Sequence, residues 1–111
     1  MRIAVSVLAI LFALLHMIAA AVQFKSRDPA ARGGASLMLC GGVLLIVSAA
    51  AHLINSSSRA WPDALSAAVC GFLPICFAAY LNGRRAGNVH VSHHLVRGGI
   101  AVLLVLGFFF R

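Results

Sequence analysis

Four long apolar runs, separated by short polar or basic connectors, set the pattern of this chain. They predict helices over about residues 3–24, 35–54, 62–81 and 89–110. Each run is close to the ~20 residues an α-helix needs to cross the hydrocarbon of a bilayer. In the first run Ser6, Ala9, Ala13, His16, Ala20 and Gln23 recur at steps of three and four. They form one narrow stripe of small and polar residues, with Leu8, Leu11, Phe12, Leu15 and Ile18 on the other faces. In a bilayer small residues mark helix contact, because backbones can approach closely there. For the second run the corresponding stripe reads Ser36, Cys40, Leu44, Ser48, then Ala51 or His52, and Asn55. Gly41 and Gly42 add close-approach surface.

Pro and Gly mark the connectors. Gln23 to Gly34 reads as a solvated loop with Pro29 and Gly33-Gly34. Asn55 to Arg59 reads as a polar turn, and Asn82 to Asn88 as a basic turn. Trp61 suits the interfacial belt, and Ser58 and Asp63 suit a cap and the first turn of the third helix. His52, at the end of the second span, reads as reaching the interface. Within the third run, Pro74 frees the carbonyl of Cys70, so Gly71 and Pro74 are candidate hinge residues. Phe108 to Arg111 reads as an aromatic and cationic anchor. Arg2 and Ala19-Ala20-Ala21 imitate a secretory signal with its cleavage site. The three further runs favour a retained helix instead.

Composition strengthens this picture. Of 111 residues 62% are hydrophobic and 10% charged, and mean hydropathy is +1.01. A soluble domain carries about 25% charged residues, so there is too little polar surface here to cover a water-soluble globule. The expected fold is all-α: one integral membrane domain, residues 1–111, with four transmembrane helices in an up-down antiparallel bundle. Cys40, Cys70 and Cys76 lie inside apolar runs, form no CxxC pair, and read as small buried hydrophobes.

Nine basic residues against two acidic ones give a net charge of +7. The basic residues fall mainly in the connectors and no nucleic-acid motif is present. The expected partner is therefore a bilayer with anionic lipids, not nucleic acid. Lys25, Arg27, Arg32, Arg84 and Arg85 lie in the first and third connectors, with Arg97 close by; Arg2, Arg59 and Arg111 lie on the other side. The positive-inside rule then places those two connectors in the cytoplasm of a bacterial inner membrane and both termini outside.

Candidate chemistry gathers at the start of the fourth run. His90, His93, His94 and Arg97 are spaced i, i+3, i+4 and i+7, which puts them on one helical face. Arg84 and Arg85 precede them, and His16 is a titratable group inside the first span. An intramembrane ionisable residue is a functional candidate by default. Three readings suit the cluster. It could be an interfacial anchor, with Arg97 snorkelling to the headgroups. It could be an anion site in which Arg supplies a bidentate fork and His adds donors. It could also be a metal or haem site using the i, i+4 pair His90 and His94. No paired carboxylate, Ser/His/Asp set or phosphate loop points to an enzyme, and no cofactor is specified.

Four spans in about 110 residues resemble the small multidrug-resistance exporters in length and span count. That resemblance implies a dimer. Those exporters use a membrane-embedded glutamate in the first helix, where this chain has no acid and only His16 titrates. No functional residue carries over. The expected function is a small oligomeric transporter or channel-like protein whose His/Arg layer (His16, Arg84, Arg85, His90, His93, His94 and Arg97) binds an anionic solute or lipid headgroup. The alternative is a non-catalytic accessory or scaffold subunit of a larger membrane complex.

Overall fold

The structure, a computed structural model, describes residues 1–54, 61–87 and 90–109. Among them the chain is all-helical, with α1 Arg2–Gln23, α2 Pro29–Ile54, α3 Trp61–Arg85 and α4 Val91–Phe109. Helices α1, α2 and α4 are long and apolar enough to cross a membrane. The expected turn at 55–59 with Ser58, the side chains of Trp61 and Asp63, Asn88, and the anchor residues Phe110 and Arg111 lie outside the described residues.

Helix α2 starts six residues before the expected position. Asp28 and Pro29 outweigh the two glycines that follow. Pro29 takes the first helical position, where a missing N–H costs nothing. The Asp28 carboxylate accepts the Ala30 N–H at 3.0 Å, which caps the helix. The connector between α1 and α2 is thus much shorter than Gln23 to Gly34. Helix α3 likewise runs on through Asn82 to Arg85. It exits at Gly87, whose φ of +67° is the left-handed conformation glycine adopts without strain.

Helix α2 packs against both α1 and α3, and α4 lies against α3 and α1. The α1 stripe is buried as expected: Ser6, Ala9, Ala13, His16 and Ala20 all point inward. Phe12 turns inward too, correcting its assignment to the outer faces. It meets Phe72 of α3 edge-on, with ring centroids 5.3 Å apart. The α2 stripe is shifted from the expected one. Ala35, Met38, Leu45, Ser48, Ala49 and His52 are buried, whereas Ser36, Cys40 and Leu44 are exposed. Gly41 and Gly71 bring α2 and α3 into backbone contact; a Cβ on Gly41 would stand 2.6 Å from the Gly71 carbonyl oxygen. Helix α3 continues through Pro74, which packs against this crossing.

Two further expectations are corrected. Cys40 and Cys70 are exposed and Cys76 is half-buried. In a bilayer an outward thiol or leucine faces lipid, so apolarity does not drive it inside. His52 does not reach outward: it is 4% exposed, its ring 4.7 Å from that of Phe108. Arg2 donates from Nε to the His52 carbonyl at 3.1 Å and from Nη2 to the Leu53 carbonyl at 2.7 Å. The guanidinium therefore satisfies carbonyls that the end of α2 leaves open.

Candidate functional site

Between α1 and α4 a cavity of about 500 Å³ opens at the end of the molecule that carries Gln23, Asn82 and Arg97. Helix α1 contributes Phe12, Leu15, His16, Ala19 and Gln23, positions that share one helical face. Helix α4 contributes His93, Val96, Arg97 and Ile100, likewise from one face. Met38 of α2 and Ala79 and Asn82 of α3 complete the lining.

Polar groups concentrate in the outer part of this cavity. Asn82 Nδ2 donates to Gln23 Oε1 at 2.9 Å and approaches Met38 Sδ at 3.9 Å. Gly34 permits this arrangement, since a Cβ there would stand 2.9 Å from Asn82 Oδ1. Arg85 Nη1 donates to the same oxygen at 3.5 Å. Deeper in, the His16 ring stacks on Phe12 with centroids 4.3 Å apart. Its Nδ1 lies 2.7 Å from the Phe12 carbonyl oxygen. A carbonyl can only accept, so Nδ1 carries a proton; in the neutral ring Nε2 is then an acceptor.

Arg97 is half-buried on the cavity wall. Among the described residues it has no carboxylate partner. The chain holds only two acidic residues, Asp28 and Asp63, and the Asp28 carboxylate is engaged in capping α2. The site therefore carries a guanidinium, two imidazoles and an amide pair, and the described lining contributes no negative charge.

The structure divides the set of residues expected from the sequence. His16, His93 and Arg97 share the cavity. His90 precedes α4, and its carbonyl accepts the His93 and His94 N–H groups at 3.0 and 3.3 Å. It is thus the residue from which the helix starts, with its ring 5.5 Å from that of His93. His94 packs edge-on against Tyr80 at 5.9 Å, and the Arg84 guanidinium carbon lies 6.0 Å from the same ring centroid. Gly71 and Pro74 sit at the α2–α3 crossing, away from the cavity lining. Among the described residues no group of three His, Cys, Asp or Glu could hold a metal ion. Sequence reasoning missed Asn82, Met38 and Tyr80; Gln23 stood on the α1 stripe, but its partner was not foreseeable.

No protein-family model matches the chain, and no curated protein or solved structure is significantly similar to it.

Proposed function

We propose that this protein is a four-span membrane protein that binds an anionic group in the α1–α4 cavity and works as an oligomer in moving it. Support for the up-down antiparallel arrangement comes from contacts between neighbouring helices. Gly42 meets Met17 while Arg2 meets Leu53, and Gly34 meets Asn82 while Gly41 meets Gly71. Exposed Lys25, Arg27, Arg32, Arg84 and Arg85 lie on the connectors and helix ends around Gln23 and Asn82. By the positive-inside rule that end faces the cytoplasm of an inner membrane.

The observation that carries the binding reading is Arg97, a half-buried cation facing a cavity with no described carboxylate to neutralise it. Removing a guanidinium from water is costly unless it is paired, and an arriving anion supplies the pair through charge-assisted hydrogen bonds. Phosphate and carboxylate groups match the guanidinium fork. Beyond Phe12 the interior is filled by Ala9, Ala13, Leu45, Phe72 and Phe108. One chain thus supports binding at one end, and passage across the membrane calls for a second copy.

Thermal unfolding of the detergent-purified protein with inorganic phosphate tests the binding step, with chloride matching the ionic strength. Saturating phosphate raises the stability of the wild type, by about 2.7 kcal/mol at a hundredfold excess over Kd. Arg97→Gln removes most of that rise. An equal rise in wild type and Arg97→Gln refutes the site. Transport is checked in proteoliposomes loaded with phosphate, where wild-type flux above empty vesicles is expected and Arg97→Gln abolishes it.

A further inference from the structure

The cavity at Arg97 does not end at its polar part. A second, wholly apolar groove of about 420 Å³ follows it along the same α1–α4 seam. The two share Phe12, Leu15 and Ile100, and the groove continues past Leu11 and Leu103 to Leu8. Together they run from Gln23 to Leu8, fifteen steps along α1, or about 22 Å at 1.5 Å per residue. One leaflet of the ~30 Å hydrocarbon core is about 15 Å deep. The seam therefore reaches from headgroup level to about mid-membrane, cationic at one end and aliphatic over the rest.

We propose that this seam binds one anionic glycerophospholipid, its phosphate at Arg97 and His93 and one acyl chain along Leu15, Leu11, Ile100 and Leu103. The proposal rests on the anion-site reading above and names its ligand. A free phosphate would use only the polar end. A zwitterionic lipid would use the groove but bring its own cation toward Arg97. Only an anionic lipid matches both parts. The α3–α4 groove supplies an internal comparison: it is of similar size, about 390 Å³, and is lined by apolar residues such as Leu73, Val102 and Leu106, with no cation. It offers a chain-binding surface without headgroup selection.

Native mass spectrometry of the full chain released from nanodiscs tests this. The discs hold phosphatidylglycerol and phosphatidylcholine in equal amounts with identical acyl chains. The wild type is expected to retain phosphatidylglycerol over phosphatidylcholine by about tenfold, the order of one charge-assisted hydrogen bond. Arg97→Gln brings the ratio close to one, and Arg97→Lys, which keeps the charge, retains a preference. Leu103→Trp, which fills the exposed groove, lowers the number of lipids retained but leaves the stabilisation by inorganic phosphate intact. Val102→Trp, in the α3–α4 groove, changes neither the preference for phosphatidylglycerol nor the phosphate stabilisation. Equal retention of the two lipids by wild type, with phosphate stabilisation still dependent on Arg97, overturns the lipid assignment and leaves the anion site standing. Lipid ratio and phosphate stabilisation both unchanged in Arg97→Gln overturn the two together.

Discussion

The close approach of two backbones at Gly41 and Gly71, where α2 crosses α3, makes a graded test of the molecule's packing. At Gly41 an added Cβ would stand 2.6 Å from the Gly71 carbonyl oxygen, 2.8 Å from Ile75 Cγ1 and 3.2 Å from Pro74 Cγ. Ordinary contact begins at 3.4 Å, so the helices must part by about 0.8 Å, because a backbone oxygen cannot swing aside. A gap of that size forfeits a quarter to a half of each dispersion contact across it. Leu45 and Ile75, both fully buried beside the crossing, each make about 50 such contacts of ~0.15 kcal/mol, roughly half of them across the seam. The loss is then about 2–4 kcal/mol, offset by ~1 kcal/mol of helix propensity gained on replacing glycine. Gly41→Ala should destabilise by about 1–3 kcal/mol, within the range for overpacked cores. At Gly42 the added Cβ meets mainly the Met17 side chain, which can rotate away, so Gly42→Ala should cost less. At Gly99 nothing lies within 4 Å, and Gly99→Ala should stabilise by about 0.5–1 kcal/mol. Reversible unfolding in mixed detergent micelles measures all three. Gly41→Ala at least as stable as wild type, or no difference between Gly41→Ala and Gly99→Ala, would refute the reasoning.

Three smaller predictions use the helix ends and one buried hydroxyl. Arg2→Ala removes both hydrogen bonds to the end of α2 and should lower stability by about 1–2 kcal/mol, read in the same unfolding assay; an unchanged midpoint would mean that Arg2 only faces solvent. Asp28→Ala should cost about 1 kcal/mol and Asp28→Asn much less, since asparagine also caps; amide exchange at Ala30 and Ala31 should rise only in the alanine variant. Ser6 Oγ is buried with no hydrogen-bond partner among the described residues. Ser6→Ala should therefore be neutral or stabilising by up to about 1 kcal/mol, and a clear loss of stability would point to a partner for that hydroxyl.

The four helices were legible because each is a long apolar run, and the α1 contact face was legible because small and polar residues recur there at helical spacing. On α2 the same reasoning found Gly41, Gly42, Ser48 and His52 but placed Ser36, Cys40 and Leu44 on the contact face, where they are exposed. That helix is apolar all round, and its inward positions mix Ala35, Gly41 and Ser48 with the larger Met38 and Leu45. Size alone does not separate its faces. The start of α2 was obscured by Gly33 and Gly34. They looked like a loop, but Gly34 is there to admit Asn82. His93 and Arg97 were found through spacing on one helix. The Gln23–Asn82 pair was not, because it joins residues 59 apart in sequence, and only the packing of α1 against the end of α3 brings them together. His90 shows a limit of helical spacing arguments: it precedes the first turn of α4, and although its ring lies 5.5 Å from that of His93, it does not line the cavity that His93 and Arg97 share.

The position of α4 links the fold to the proposed site. Helices α1, α2 and α3 meet through small residues, with Ala20, Ala35 and Ala78 all fully buried in one cluster with Met38. Helix α4 is held differently. At its far end Phe108 is 1% exposed against His52, and Gly107 admits Val5 closely. Toward its start it rests on Tyr80 through His94, while Gly98 and Gly99 have no neighbour within 4 Å of where a Cβ would be. A helix fastened at one end and loosely seated at the other leaves an open seam beside α1 that includes Arg97. In water such a seam would close, because exposing Leu8, Leu11, Leu15 and Leu103 costs about 25 cal/mol per Å². Lipid tails are as apolar as leucine, so in a bilayer that driving force is absent. The same exposed leucines that exclude a water-soluble fold thus allow the seam to persist, with Arg97 positioned where a chain-bearing anion can reach it from the membrane.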